Sequence, residues 1–187
     1  MKLFIALVHY PVLNRQGEKI CSAITNLDIH DIARSATTYG VEKFFVITPS
    51  IQQQELAQRV MAHWQNGVGA KFNPDRKRAF SIVELSESIE DVIDRLPCHK
   101  NRCLILATSA KKYPNCLSWE NFEKIVYKME FECILLLFGT ASGLHQECFA
   151  LCDGVLCPIT GETNYNHLSV RSAVAIILDR ISRFRRT

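Results

Sequence analysis

Three segments of the sequence combine small residues with main-chain donors and acceptors, and they carry little reactive side-chain chemistry. They read ATSAKKYP at 107–114, FGTASGL at 138–144 and CPITGETNYNHLS at 157–169. The middle segment continues an apolar run typical of a buried strand, so its small residues leave room for a bulky group. Main-chain N–H and C=O groups can read the edge of a flat heterocycle such as adenine, while apolar side chains hold its faces. We therefore expect a heterocycle site at these loops.

The same loops lack the motifs of the commonest phosphate and hydrolase sites. The spacing G-x-G-x-x-G is absent, and FGTASGL follows a late strand instead of opening the first βαβ unit. Neither a P-loop, G-x-x-x-x-G-K-[ST], nor a nucleophile elbow, G-x-S-x-G, occurs in the chain. These absences exclude P-loop and serine-hydrolase chemistry.

The elements that position the loops alternate as short apolar runs and longer amphipathic ones, which is typical of an α/β domain with a mainly parallel sheet. Apolar runs predict strands at 3–10, 43–48, 80–85, 102–108, 133–139 and 154–159, and a short strand or arm at 19–25. Helical spacing predicts helices at 28–39, 51–66, 86–96, 119–129, 144–152 and about 167–184. Because the carboxyl ends of parallel strands bind ligands, the three loops belong at one edge of the sheet.

Composition predicts one domain over residues 1–187. The chain is 48% hydrophobic and 22% charged, which is enough to build a sizeable core. Its start, MKLFIALV, is interpreted as a first strand, because no small-residue cleavage site of a signal peptide follows. The apolar run there is too short to span a bilayer, so no membrane partner is expected.

The eight cysteines are interpreted as buried thiols. Cys103, Cys133 and Cys157 stand in apolar contexts, where a thiol packs as a small hydrophobe, and this favours a reducing cytoplasm. No paired C-x-x-C spacing occurs, so no metal site is predicted.

Positive charge is clustered, although the net charge is only +3. One cluster is KFNPDRKR at 71–78, interpreted as a solvated loop or as an RNA-contacting flap. The other holds the arginines at 180, 183, 185 and 186. Clustered cations supply non-specific affinity for nucleic acid, but a small net charge does not identify such a partner by itself.

Three longer segments, taken in order, resemble the motifs of the SpoU-like branch of the SPOUT RNA methyltransferases. They are NLDIHDIARSATTYGVEKFFVIT at 26–48, LLLFGTASGLHQE at 135–147 and LCPITGETNYNHLSVRSAVAIIL at 156–178. More narrowly, the chain is similar to a small bacterial subfamily that occurs alone or joined to a tRNA guanine-N1 methyltransferase domain. The resemblance implies S-adenosylmethionine as cofactor, a homodimer, and a deep C-terminal trefoil knot, with knot and cofactor loops at about 104–187.

The resemblance also implies which residues hold the cofactor. Adenosine would lie over Gly139, where a side chain would collide with it. Leu156, Pro158, Ile159 and Leu168 would pack the adenine. The full set of expected cofactor-binding residues is Thr108, Phe138, Gly139, Thr140, Gly143, Leu156, Cys157, Pro158, Ile159, Asn166, His167 and Leu168.

Catalytic candidates come from the first and third motifs. Arg34 is expected to fix a phosphate or the target nucleotide of the RNA, although a solvated arginine or one paired with Asp31 fits the sequence too. Asn26 would orient Arg34 or cap the helix. His30 and Glu162 are candidate bases, and Asp28 and Asp31 remain open as bases or as helix-dipole partners. Asn166 could equally be a capping residue.

The expected activity is methylation of tRNA or rRNA. A base nitrogen is favoured over a ribose 2′-hydroxyl, because Ser169 and Arg171 stand where the wider family usually carries Asn and Ser. Two alternatives stay open: a cofactor-binding RNA module without catalysis of its own, and an unrelated flavodoxin-like phosphate or flavin binder.

Overall fold

A six-stranded sheet forms the centre of the molecule, described at residues 1–128 and 130–185 of a computed structural model. The strands are β1 (Lys2–Val8), β2 (Val12–Leu13), β3 (Lys19–Ile20), β4 (Lys43–Ile47), β5 (Val83–Ser86), β6 (Cys103–Thr108), β7 (Cys133–Gly139) and β8 (Gly154–Leu156). The sheet order is β5-β4-β1-β7-β6-β8, and all of its neighbours are parallel. Strands β2 and β3 form a separate antiparallel hairpin.

Helices cover both faces of this sheet. They are α1 (Asn26–Thr38), α2 (Ile51–Gln65), α3 (Val68–Phe72), α4 (Pro74–Phe80), α5 (Ile89–Asp94), α6 (Trp119–Lys128), α7 (Gln146–Phe149) and α8 (Val170–Arg185). Side chains of β1 alternate between the faces, as strand geometry requires. Leu3, Ile5 and Leu7 join the core beneath α1, α4, α6 and α8, whereas Phe4 and Val8 join the core beneath α5 and α7.

The predicted strands and helices are present, but many of their ends differ. Helix α1 starts at Asn26 instead of residue 28, and Phe80, predicted to open a strand, is the last residue of α4. The last strand stops at Leu156 instead of residue 159, and the last helix starts at Val170 instead of about 167. Both differences lengthen the third loop, in which Pro158 removes a main-chain donor. The helix predicted at 119–129 is described to Lys128, and Met129 lies outside the described residues.

The interpretation of KFNPDRKR as a loop is wrong. Its residues form the end of α3 and most of α4. Asn73 accepts a hydrogen bond from the Arg76 main-chain N–H at 2.9 Å, and Pro74 occupies the first turn of α4, as is typical of a helix start. The asparagine and proline that suggested a loop are therefore the cap of a helix.

Two arginines of the basic C-terminal cluster contact partners within the chain. Arg180 lies over the ring of Trp119, and Arg183 forms an ion pair with Asp179 on the preceding turn. The predicted member Arg186 lies outside the described residues.

Two loops run side by side beyond the carboxyl ends of β6 and β8. The Leu117 N–H donates to the Val155 carbonyl at 2.7 Å, and the Cys157 N–H donates to the Leu117 carbonyl at 2.9 Å. The Asn166 side-chain amide donates to the Ala110 carbonyl at 2.8 Å. The trefoil knot expected in this region stays a prediction, and these bonds join the segments that would form it.

Candidate active site

A cavity of about 980 Å³ opens beyond the carboxyl ends of β6, β7 and β8. The three loops singled out in the sequence line it together. Each of the twelve side chains or glycines expected to hold the cofactor is among its lining residues, namely Thr108, Phe138, Gly139, Thr140, Gly143, Leu156, Cys157, Pro158, Ile159, Asn166, His167 and Leu168. The arrangement follows from parallel strands, whose ends bring the loops to one edge.

Residues outside these loops complete the cavity wall. The β2–β3 hairpin contributes Asn14, Arg15 and Gly17, and α8 contributes Ala173 and Ile177. The hairpin is held by the Leu13 N–H, which donates to the Gly143 carbonyl, and by the Ser142 N–H, which donates to the Leu13 carbonyl, both at 2.9 Å. The sequence predicted only a short strand or arm at 19–25 in this region, and nothing in that prediction pointed to the cavity.

The chemistry of the wall suits a ligand with a flat apolar part and a charged part. Leu156, Ile159 and Ile177 supply apolar surface. Arg15, Lys111 and Asp28 place charges of both signs on the same wall. Its volume is in the range of small-molecule sites, which is about 300–1,000 Å³. S-Adenosylmethionine, which joins an adenosine to a charged amino acid, fits this lining.

Gly139 is required by the loop itself, and the adenosine expected above it stays a prediction. A Cβ there would lie 2.6 Å from the Leu144 nitrogen and 2.9 Å from the Gly143 carbonyl carbon. Real Cβ atoms essentially never approach so closely. The absent side chain therefore lets the loop at 140–145 fold back onto the end of β7.

Gly139→Ala is expected to lower the free energy of unfolding by about 1–3 kcal/mol, because the added methyl group meets main-chain atoms that cannot move independently. Urea denaturation of the variant measures this loss. Gly161→Ala is the matched control, since nothing lies within 4 Å of a Cβ at Gly161. Equal stability of the two variants would contradict the packing role of Gly139.

A buried hydrogen-bonded chain connects β1 to the cavity. The His9 Nδ1 lies 3.0 Å from the Ser22 Oγ, and the Ser22 Oγ lies 2.6 Å from the Thr140 Oγ1. The Thr140 hydroxyl donates to the Val8 carbonyl at 3.0 Å. Burial lowers the pKa of His9 to about 4 despite the opposing charge of Asp28, so the imidazole is neutral at pH 7. The sequence did not single out His9, whose place in an apolar run concealed its partners.

Cys157 was interpreted as a free buried thiol, and this is wrong. Cys116 and Cys157 form a disulfide that joins the loop after β6 to the loop after β8. Cys103 and Cys133 are buried and unbonded, as predicted, and burial raises the pKa of the Cys133 thiol to about 12. The buried-thiol interpretation therefore holds for Cys103, Cys133 and Cys148. It is wrong for Cys21, which is exposed, and Cys98 and Cys152 are half-buried.

The start of α1 is organised differently from the sequence expectation. Thr25, not Asn26, caps the helix: its hydroxyl oxygen accepts from the Asp28 N–H at 3.2 Å. Arg171 on α8 donates to the Asp28 carboxylate at 2.8 Å and lies 3.4 Å from the Asp31 carboxylate. Asp31 is thus paired with Arg171, and no ion pair joins it to Arg34 among the described residues. These pairs fasten α1 to α8.

The other capping alternatives are also decided. Ser169 accepts a hydrogen bond from the Ser172 N–H at 3.2 Å at the start of α8. Asn166 instead connects two loops through the Ala110 carbonyl. Ser169 is therefore the residue that caps this helix, and Asn166 lies on the cavity wall.

All four catalytic candidates lie outside the cavity of their own chain. Asn26, His30 and Arg34 line a second groove, on the far side of α1. Glu162 is exposed in the loop at 157–169 and lines neither the cavity nor this groove. Arg34 is exposed, and its guanidinium forms no ion pair or side-chain hydrogen bond within the described part of the chain. One chain therefore does not bring the candidates together with the cavity.

A parallel sheet with a mixed apolar and charged cavity at its strand ends is the arrangement in which α/β proteins commonly bind small ligands. The sequence profile described as SAM-dependent RNA methyltransferase, where SAM is S-adenosylmethionine, matches residues 2–183. The chain therefore belongs to that family, and the sequence resemblance is confirmed.

Relatives of known sequence agree with this assignment. A tRNA (guanine-N(1)-)-methyltransferase of Oleidesulfovibrio alaskensis is 39% identical over 180 residues, which are 96% of this chain and 41% of the relative. A protein of Aquifex aeolicus with no described function is 36% identical over 96% of this chain and 87% of its own length. The chain thus spans less than half the length of the former relative.

Solved structures show the fold. A probable methyltransferase of Bordetella pertussis superposes with a TM-score of 0.65 at 14% identity, covering 98% of this chain and 95% of that one. The SpoU methyltransferase AviRb of Streptomyces viridochromogenes, in complex with AdoMet, superposes with a TM-score of 0.59 at 18% identity, covering 100% of this chain and 58% of that one. The predicted α/β class with a mainly parallel sheet is confirmed.

Two absences concern only residues 1–128 and 130–185. None of the helices there is sufficiently long and apolar to cross a membrane. Over the same residues, no cluster of three His, Cys, Asp or Glu side chains is placed to hold a metal ion.

Proposed function

We propose that this chain transfers the methyl group of S-adenosylmethionine to a nucleotide of tRNA or rRNA. The observation that carries the proposal is the cavity at the ends of β6, β7 and β8, because its wall combines the expected residues with a lining suited to that cofactor. Family membership supports the same cofactor and the same class of substrate. We further propose that the chain works as one domain, in the cytoplasm, within a homodimer.

The cavity residues would bind and orient the cofactor. Leu156, Pro158 and Ile159 would hold the adenine between apolar surfaces, with Thr108 and Leu168 at its sides. The polar members Asn166 and His167 would lie at its edge, and Arg15 and Lys111 could neutralise its carboxylate. When bound, the cofactor supplies a methyl group on a positively charged sulfur. Holding that group in line with the acceptor accounts for most of the expected acceleration.

A second subunit would supply the residues that act on RNA. Arg34, Asn26 and His30 lie in a groove separate from their own chain's cavity. A homodimer that turns α1 of one protomer toward the cavity of its partner would complete the site. Arg34 would then fix the target nucleotide, with Asn26 beside it. His30 or Glu162 would take up the proton of the acceptor, a step worth about 10²–10⁴-fold.

A base nitrogen, rather than a ribose hydroxyl, is the proposed acceptor. Relatives that bear the name tRNA (guanine-N(1)-)-methyltransferase support a guanine in tRNA. Arg171 forms ion pairs with Asp28 and Asp31, so its guanidinium is not available to contact a ribose.

A second candidate function is a cofactor-binding RNA module without catalysis of its own. The observation that favours it is length: this chain matches only 41% of the relatives named for guanine-N1 methylation. The named activity could therefore belong to the remainder of those proteins. Both candidates use the same cavity, and they differ in whether a methyl group is transferred.

The test is transfer of isotope-labelled methyl from S-adenosylmethionine to tRNA and rRNA taken from cells that lack this protein, followed by mass spectrometry of the nucleosides. We expect a base-methylated guanosine. Arg34→Gln should lose transfer yet keep cofactor affinity, because Arg34 lies outside the cavity. A 2′-O-methylated nucleoside would contradict the proposed acceptor. Binding of the cofactor without transfer to any RNA would favour the second candidate.

A further inference from the structure

The groove beside α1 is built from three helices and has a volume of about 600 Å³. Its wall includes Arg34 on α1, Arg59 and Trp64 on α2, and Arg76 on α4. It is separate from the cofactor cavity, because the two share none of the residues that line them. The first turn of α1 divides them: Asn26 faces the groove, and Asp28 faces the cavity.

Arg76 is held in place without an acidic partner. Its guanidinium carbon lies 4.6 Å from the centre of the Trp64 ring, within the range of a cation–π interaction. Its Nε is buried and has no hydrogen-bond partner among the described residues. A buried, charged N–H group without an acceptor is costly, so the side chain depends on its packing against Trp64. Arg76 lines the groove, and no acidic side chain of the described residues neutralises its charge.

Neighbouring rings fix the indole that supports Arg76. The ring centres of His30, His63 and Phe80 lie 5.3, 4.8 and 6.3 Å from that of Trp64. Burial, together with the charge of Arg76, lowers the pKa of His30, so the histidine stays neutral at neutral pH. Its other charged neighbours are Asp31, which raises that pKa, and Arg34 and His63, which lower it. Arginine therefore supplies the permanent positive charge of the groove.

Little negative charge opposes these arginines. Asp31 is the one acidic residue among those that line the groove, and its carboxylate lies 3.4 Å from Arg171. Arg59 has Glu55 at 3.6 Å on the preceding turn, an exposed pair that contributes little. Arg34 and Arg76 have no ion-pair partner in the described part of the chain. The groove thus presents an excess of cations to an anion.

We propose that this groove binds a phosphodiester of the RNA backbone, with Arg76 as the fixed contact and Arg34 and Arg59 beside it. The proposal rests on the proposed function, which makes RNA the anionic partner. Planar guanidinium groups suit phosphate oxygens, because they donate two hydrogen bonds at once. One face of Trp64 is covered by Arg76, so the indole serves to orient the arginine. The site would position RNA and would leave the reading of bases to the cavity region.

The test compares wild-type protein with Arg76→Gln in binding to total tRNA between about 50 and 200 mM salt, a range in which phosphate contacts respond strongly. Loss of one phosphate contact is expected to reduce the slope of log affinity against log salt by about 0.7–0.9. Calorimetric affinity for S-adenosylmethionine should not change. Arg180→Gln is the matched control, because Arg180 lies 4.9 Å over Trp119 and is not a lining residue of the groove.

Arg76→Lys separates charge from packing. It keeps the positive charge but removes the planar group, so it should retain most of the salt slope. An equal loss of RNA affinity in the Gln and Lys variants would indicate a structural role and overturn the proposal. An unchanged slope in Arg76→Gln would overturn the proposal too. Sedimentation that shows Arg76→Gln as a monomer and the wild type as a dimer would also overturn it, because the groove would then be a subunit contact. Failure of wild-type protein to bind S-adenosylmethionine would instead contradict the proposed function.

Discussion

Ala173→Trp is expected to weaken binding of S-adenosylmethionine by about 100-fold or more, equivalent to about 2.7 kcal/mol. Ala173 lies on α8, is half-buried, and lines the cavity beyond the sheet. An indole at this position would occupy space between α8 and the three loops, where the adenosine is proposed to lie. Isothermal titration of the folded variant with S-adenosylmethionine measures the effect.

Ala62→Trp is the control for that experiment. Ala62 is exposed on α2 and lines neither the cavity nor the groove, so it introduces the same side chain without filling either space. We expect its cofactor affinity to equal that of the wild type. Circular dichroism shows whether both variants keep their helices. Normal binding by folded Ala173→Trp would place the cofactor elsewhere.

Acid is expected to destabilise the protein through His9, by about 3 kcal/mol between pH 6.5 and pH 4. The imidazole is fully buried, and desolvation lowers its pKa to about 4 in the folded chain. Between these pH values the unfolded chain binds a proton that the native chain does not, so native stability falls as the pH falls. Above pH 6.5 both states are neutral at His9, and the full stability is present. Urea denaturation at a series of pH values measures the decrease.

His9→Gln should remove most of this pH dependence, because glutamine does not titrate. It should retain part of the connection to Ser22, whose hydroxyl also reaches Thr140 on the cavity wall. His99→Gln serves as the control, since His99 is exposed and should leave the slope as in the wild type. An identical slope in wild type and His9→Gln would assign the acid sensitivity to other groups.

Periodicity predicted the strands well because the central ones are buried on both faces. Near-continuous apolar runs such as those of β1 and β7 are typical of parallel sheets with helices on each side. The helix ends and the segment at 71–78 were harder to predict, because residues such as Asn73 and Pro74 are common both in loops and at helix starts. The capping bond from Arg76 to Asn73, which decides between them, is not visible in a sequence.

The cavity was predictable at its loops because strand ends of a parallel sheet must share an edge. Contacts between distant residues were not. No spacing in the chain links Arg171 to Asp28, or Cys116 to Cys157, since these pairs form only after the helices and loops have packed. Gly139 was identified as a close-approach glycine, but its approach to Leu144 and Gly143 of the chain itself was not foreseen. Arg76 was noticed as positive charge, while its place over Trp64 depends on how α2 meets α4.

A crystal structure of the protein with S-adenosylhomocysteine, the demethylated cofactor, tests the central claim most directly. We predict electron density for its adenine against Leu156, Pro158 and Ile159, with its amino-acid part toward the charged side of the cavity. Density for the ligand at any other place, such as the groove beside Trp64, would contradict the assignment of the cavity. So would a structure grown at saturating ligand in which the three loops enclose only water.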